Sequence, residues 1–313
     1  MKVGIILGFS DVDTLGRAPS YQEIRAQALQ AEAAGFDSIW VADHLIYRFP
    51  DEKNNNELKT TGVWECWTFL SALAEATSRI ELGQLVMCVP FRHPAVLAKM
   101  AVTLDEVSGG RAILGLGAGW HKPEFDAFGT PFDHLASRFD EALQIISPLL
   151  REGKVDFEGE YYSAKESEIT PRGPRPGGPP VLVASFGPKM LKLTAQYADQ
   201  WNTAWLGRPT LYLERRKELE AACAEVGRDF STLTQTVGVS VVYADGGGDE
   251  ISEELRDPDK ALTGTPAEVA AGLKAYADLG VEHAICANFL HNPTWLDKLS
   301  EALKAYRQLE AAG

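Results

Sequence analysis

The sequence predicts an α/β protein of the (β/α)8 TIM-barrel class, with residues 1–313 forming one domain. Three observations lead there. Short β-branched apolar runs alternate with longer segments of helical spacing, eight such pairs follow one another, and the runs are apolar almost throughout, as strands buried on both faces must be. A doubly wound open sheet is the competing architecture, since the two differ by only a strand or two at this level of reading.

The candidate strands are VGIILG (3–8), SIWVA (38–42), ELGQLVM (81–87), AILGLG (112–117), PVLVAS (180–185), DQWNTA (199–204), TVGVSVVYA (236–244) and HAICANF (283–289). Helical spacing marks residues 21–35, 63–78, 94–108, 133–153, 188–198, 210–227, 265–280 and 292–309. Several boundaries carry their own chemistry. Gly35, Gly227 and Gly280 stand where helices end in the left-handed conformation, and Thr265-Pro266 supplies an N-cap followed by proline at the first helical position. Two stretches break the alternation. Residues 154–180 read as a short hairpin followed by a Pro/Gly-rich segment, and 244–263 as a polar acidic excursion; loops of this length in a compact fold serve as lids, binding walls or mobile segments. Residues 46–63 are a further polar stretch suited to shaping a substrate pocket.

Composition removes several function classes. Thirty Lys and Arg against forty-four Asp and Glu give a net charge of −14, which opposes binding to nucleic acid. The N-terminal apolar stretch is too short for a signal sequence and no run reaches the ~18 apolar residues of a membrane span, so a cytoplasmic protein without membrane contact is expected. Cys66, Cys88, Cys223 and Cys286 show no metal spacing and no disulfide framework, and no metal is expected.

The segment GLGAGWHKPE (115–124) has glycines at every second position after an apolar run. A dinucleotide fingerprint needs G-x-G-x-x-G opening a helix in the first βαβ unit, so that reading fails here. Glycines that let another backbone approach within a tight barrel and glycines that floor a cofactor both fit the pattern. In a barrel the active site lies at the C-terminal strand ends. Those ends carry Asp43-His44, then Cys88 with Arg92-His93, then Gly117, Gly119, Trp120, His121 and Glu124, and finally Ala184-Ser185-Phe186-Gly187-Pro188, which opens a helix. The last turn offers backbone N–H groups and the positive end of a helix dipole, a seat for a phosphate. Arg92 fits either an anion contact or a loop tie. His121 and Glu124 suit a rim or substrate contact rather than a metal pair, while Trp67 suits the core.

Taken together, GFDSIWVADHL, the stretch RIELGQLVMCVPFRHPAVLAKMAVTLDEVSGGRAILGLGAGWHKPEFDAFGTPFD and PPVLVASFGPKMLKLTAQYADQWN resemble the bacterial luciferase-like monooxygenase superfamily of flavin- and deazaflavin-dependent oxidoreductases, over most of residues 1–205. The resemblance implies a barrel, often homodimeric, that binds coenzyme F420 or FMN at its C-terminal face. The Glu65-Cys66-Trp67-Thr68 element and the LGLGAGW segment are similar to the F420-dependent branches. By this likeness His44 is the proton donor and acceptor of a hydride transfer between the deazaflavin and a small organic substrate. Asp43, Cys88, Gly117, Gly119, Trp120, Ala184, Ser185, Phe186, Gly187 and Pro188 then surround the cofactor, and Leu85-Val86 match a non-proline cis peptide behind its ring. Ser185-Phe186 depart from the glycine run many relatives carry there. The alternatives are an FMN-dependent monooxygenase fed by a separate reductase and a flavin-binding protein without turnover.

Overall fold

The structure is a computed structural model that describes residues 1–11, 17–51, 57–243, 255, 257–288 and 294–312. In chain order its strands are β1 (Lys2–Ile6), β2 (Ser38–Val41), β3 (Ile46–Asp51), β4 (Glu57–Gly62), β5 (Glu81–Gln84), β6 (Met87–Cys88), β7 (Ala112–Gly117), β8 (Lys154–Glu158), β9 (Ser163–Glu168), β10 (Val181–Ala184), β11 (Gln200–Leu206), β12 (Thr234–Val242), β13 (Leu262–Thr263) and β14 (His283–Ala287). Parallel pairing runs β1-β2-β5-β7-β10-β11-β12-β14 and returns to β1 through Lys2 opposite His283, which closes an eight-stranded barrel. The open-sheet alternative is thereby excluded. Each of the eight apolar runs read from the sequence supplies one barrel strand, although residue 244 and Phe289 of the runs lie outside the described residues.

The helices are α1 (Tyr21–Ala34), α2 (Cys66–Ala76), α3 (Pro94–Val107), α4 (Lys122–Phe128), α5 (Leu135–Arg151), α6 (Pro188–Tyr197), α7 (Thr210–Val226), α8 (Pro266–Asp278) and α9 (Trp295–Ala312). Local chemistry sets their ends. Ser20 and Thr265 each close a capping box, with Glu23 and Glu268, and Gly35, Gly227 and Gly280 adopt φ of 94°, 73° and 86° after the last turns. The short α4 after β7 is an element that helical periodicity did not mark. No helix among the described residues is long and apolar enough to cross a membrane.

Strand residues alternate between two cores. The outward-facing set, including Val3, Ile39, Leu82, Leu114, Val183 and Val237, packs under the helices. Trp40, Leu85, Ile113, Leu182 and Ile285 fill the barrel interior. Gly83 makes room for the Trp40 indole, whose ring a Cβ there would overlap. Below it, Ser38 Oγ accepts the Trp40 Nε1–H at 2.7 Å and meets His283 Nε2 at 2.7 Å. Burial pushes the His283 imidazole down from its ordinary 6.5 to about 3, so it sits in this plug uncharged.

The excursions fall at loop positions. Residues 154–168 form the expected hairpin, β8 against β9. Within 46–63, read as a polar stretch suited to shaping a substrate pocket, residues 46–51 and 57–62 pair antiparallel as β3 and β4, and residues 52–56 lie outside the described residues. Of 244–263, residues 244–254 and 256 lie outside the described residues, and the end of the segment adds β13 beside β12.

Candidate active site

The third barrel strand does not run straight. β5 stops at Gln84, the Leu85–Val86 peptide is cis, and β6 resumes at Met87 beside Leu116. The glycines of β7 receive this bulge: a Cβ on Gly115 would overlap the Gln84 carbonyl oxygen, and one on Gly117 would press on the Val86 side chain. Gly119, at φ 86°, lies against Phe125 and the Cys88 sulfur. Of the two readings of the glycine run, close backbone approach therefore accounts for Gly115 and Gly117, while Gly119 reaches a ligand-sized space.

That space is a cavity of about 620 Å³ at the C-terminal strand ends. The tip of β1 and the chain after it, the end of β2, the bulge, the β7–α4 loop and the β3–β4 hairpin all contribute to its wall. Asp43, His44, Leu85, Val86, Cys88, Gly119 and Trp120, seven of the residues singled out from the sequence, line it. Gly117 sits just behind Val86.

Asp43 and His44 are neighbours with different work. The buried Asp43 carboxylate accepts the Cys88 N–H at 3.0 Å and both Arg92 Nη groups, at 2.6 and 3.1 Å, and the Cys66 thiol points to it at 3.4 Å. Arg92 also donates to Glu65 Oε1 at 2.7 Å. Burial works against the charge on this guanidinium, but the Asp43 hydrogen bond and charge outweigh it and hold Arg92 firmly protonated. Arg92 is thus the loop tie among its two readings, and Asp43 locks the bulged strand to β2. The carboxylates of Asp43 and Glu65 and the Cys66 sulfur lie within 4.8 Å of one another, and Arg92 already occupies both acids.

His44 instead turns to α4. Its Nδ1 lies 3.0 Å from Glu124 Oε1, and Glu124 Oε2 accepts the Leu45 N–H at 2.9 Å. A carboxylate only accepts, so Nδ1 carries the proton and Nε2 is the nitrogen left for the cavity. The His44 side chain is 12% exposed and that of Glu124 2%. Glu124 reaches this place because His121 and Pro123 start a short helix directly under the second strand's tip. The sequence suggested a rim contact for it; the signal was an acidic residue in a helix's first turn, with nothing local to name its partner.

Around the pair lies an aromatic shell that the sequence reading missed in part. Tyr47 of β3 packs 4.4 Å from His44 between ring centres, and Trp120 stands edge-on to His44 at 5.6 Å. His121 is buried and its Nε2 accepts the Arg48 N–H at 3.0 Å, which pins the hairpin to α4; burial lowers its basicity despite the nearby Glu124. The period-two placement of Tyr47 and Phe49 was the available signal.

The β10–α6 turn does not reach the cavity wall. Ala184 packs with Ile6, Val86 and Trp205 against the inner core, which leaves the turn just beyond the bulge. Ser185 faces inward: its N–H donates to the Asn202 carbonyl at 3.1 Å and its hydroxyl bonds Thr194 Oγ1 at 2.7 Å. Phe186 is 69% exposed, and Gly187, at φ 82°, precedes Pro188 at the start of a helix that no side chain caps. The turn keeps a helix dipole for an anion, but not the Ser185 donors.

A sequence model of the luciferase-like monooxygenase family matches residues 1–257. A phthiodiolone/phenolphthiodiolone dimycocerosates ketoreductase of Mycobacterium tuberculosis is 31% identical over 300 residues, covering 91% of this chain and 77% of that protein. An F420-dependent glucose-6-phosphate dehydrogenase of Kineococcus radiotolerans is 28% identical over 299 residues, 82% of this chain and 84% of its own. Among solved structures, an F420-dependent secondary alcohol dehydrogenase in complex with an F420-acetone adduct superposes with a TM-score of 0.80 at 20% identity, covering 98% of this chain and 99% of the other. The coenzyme F420-dependent tetrahydromethanopterin reductase from Methanopyrus kandleri gives 0.75, also at 20% identity, with coverage of 98% and 99%. At these identities the structural likeness speaks to the fold alone.

Proposed function

The chain belongs to the luciferase-like monooxygenase family, and from that premise we propose that it is a coenzyme F420-dependent oxidoreductase that moves a hydride between the deazaflavin and a small organic substrate. The observation that carries the reading is the His44–Glu124 pair: one imidazole of fixed tautomer, backed by a buried carboxylate, on the wall of a ligand-sized cavity. The names of the relatives, reductases and dehydrogenases, point the same way.

The residues present suit the cofactor. Leu85 and Val86 give an apolar backing for a planar ring, Cys88 and Gly119 leave space along its edge, and the uncapped α6 terminus at Gly187-Pro188 suits a phosphate. A cavity of about 620 Å³ has room for such a ring and a small substrate together. When bound, the deazaflavin supplies a two-electron carrier that needs no oxygen. His44 Nε2 gives or takes the proton that accompanies the hydride; Glu124 fixes the ring and stabilises it when charged. Asp43 and Arg92 position the bulge and touch no reacting atom in this account. The hairpin and Trp120 exclude water from the pair.

The α2–α3 side, where Trp67, Val96, Met100, Leu104 and Val107 line a shallow apolar groove, is proposed as the homodimer face, which sedimentation of the purified protein would test. For the cofactor, the test is a fluorescence titration of the purified protein with F420 and FMN, each oxidised and reduced. Tight F420 binding with weak FMN binding is expected; a preference for reduced FMN would replace the reading with an oxygen-using monooxygenase.

A further inference from the structure

The cavity has a half that the proton-handling pair does not use. Tyr47 and Phe49 stand two apart on β3 and both line it, while Arg48 between them turns to the other face of the hairpin, where its Nε donates to Thr60 Oγ1 at 3.1 Å. The rings continue into Trp120: Tyr47 stacks on Phe49 at 5.9 Å and 19°, and Phe49 on Trp120 at 6.4 Å and 23°. Phe49 and Trp120 are nonetheless 43% and 60% exposed, an aromatic shelf that a flat apolar ligand would cover. Phe9 and Val63 extend the apolar lining.

The charges that the described residues bring to this wall are all spoken for. Among the described residues that line the cavity there is no Lys or Arg. The two carboxylates present are Asp43, held by Arg92 and the Cys88 N–H, and Glu124, held by His44 and the Leu45 N–H. A phosphate or carboxylate entering here would lose its water, gain no uncommitted cation from the described residues and face two acids.

We propose that the substrate is an uncharged ketone, or in reverse its secondary alcohol, on a flat aromatic body that stacks on Phe49 and Trp120, and that anionic substrates are rejected. The proposal rests on the reading of the site as a deazaflavin hydride-transfer site. In the reducing direction the carbonyl carbon gains the hydride, the C=O π bond breaks, and the oxygen takes the Nε2 proton of His44 in its imidazolium form, which returns to the neutral ring with its remaining proton on Nδ1 facing Glu124. The electron pair comes from reduced F420, which leaves oxidised.

The test measures binding by tryptophan quenching, on cofactor-free and F420-loaded protein, for acetophenone, 2-acetylnaphthalene, 4-acetylbenzoate and glucose 6-phosphate. Acetophenone and 4-acetylbenzoate share ring and ketone and differ by one carboxylate. The neutral aryl ketones are expected to bind at least about tenfold more tightly than 4-acetylbenzoate. Phe49→Ala should lose roughly fivefold of that affinity at saturating F420, with the F420 affinity of the variant measured alongside. With F420 bound, equal or tighter binding of 4-acetylbenzoate, saturable glucose 6-phosphate binding, or no binding of either aryl ketone overturns the substrate class and leaves the cofactor reading standing. Failure of F420 itself to bind overturns both.

Discussion

Replacing Glu124 by Gln is the most informative single change, because the two oxygens of this carboxylate serve two different N–H donors. Oε1 faces His44 Nδ1 at 3.0 Å and Oε2 takes the Leu45 N–H at 2.9 Å. A glutamine keeps one acceptor oxygen and puts an NH2 donor in the other place, so if the oxygen stays with Leu45, His44 loses its 3.0 Å acceptor and keeps only a long 3.3 Å approach to the remaining one. The Leu45 amide is fixed in the backbone and keeps the oxygen; the new NH2 then faces Nδ1 and drives the imidazole into the opposite tautomer. His44 loses its charge-assisted partner as well as its orientation. A hydrogen bond to a charged group is worth about 1.5–3 kcal/mol, which as lost transition-state stabilisation is roughly a 10- to 150-fold fall in kcat/KM. The solution equilibrium is untouched, so where the affinities for oxidised and reduced F420 stay unchanged the fall is the same for ketone reduction and alcohol oxidation. The assay is single-turnover reaction of F420-loaded protein in each direction, with F420 affinity measured alongside. A variant within about threefold of wild type in both directions would refute the role assigned to the pair.

Three further outcomes follow from the same geometry. Gly115→Ala puts a methyl group onto the Gln84 carbonyl oxygen, so denaturant unfolding should show a loss of about 2 kcal/mol or more; an unchanged midpoint would mean the bulge is not held by β7. Asp43→Ala leaves the Arg92 guanidinium with Glu65 as its remaining carboxylate and the Cys88 amide without its acceptor, and should cost about 1.5–3 kcal/mol in the same assay, whereas a fully stable variant would contradict the tie assigned to Arg92. His283 binds a proton near 6.5 when unfolded but only near 3 when folded, so between those values unfolding takes up a proton and acid favours it. Stability from this group is complete above about pH 6.5 and declines below it by up to ~1.4 kcal/mol per pH unit, and a His283→Gln variant should show a correspondingly shallower acid slope; identical slopes would remove His283 as a cause.

The barrel was legible in the sequence because most of its strands are buried on both faces and so read as near-continuous apolar runs, the polar DQWNTA run being the exception, and because glycines and capping residues mark the helix ends chemically. The His44 strand tip and the Leu85–Val86 step were legible through resemblance, since neither Leu nor Val carries a local sign of the bulge; only the Gln84 and Val86 contacts of Gly115 and Gly117 explain the glycine spacing. What escaped was non-local. Glu124 meets His44 across 80 positions of chain, and no pattern near either residue names the other. Arg92 resolved the same way, through a partner 49 positions back. The β3–β4 hairpin hid because ELKTTG is polar and solvent-facing, so its alternation carries no apolar signal, although Tyr47 and Phe49 opposite it do. The β10–α6 turn was placed correctly at a helix start, but the inward bonds of Ser185 depend on Asn202 and Thr194 and had no local signature.

The most direct measurement is anaerobic: the protein is mixed with reduced F420 and a neutral aryl ketone, and both the oxidised cofactor and the alcohol are quantified. One alcohol is expected per F420 oxidised, with oxygen strictly absent. A reaction that proceeds only when oxygen is admitted, or that runs with reduced FMN and not with reduced F420, would contradict the hydride-transfer reading.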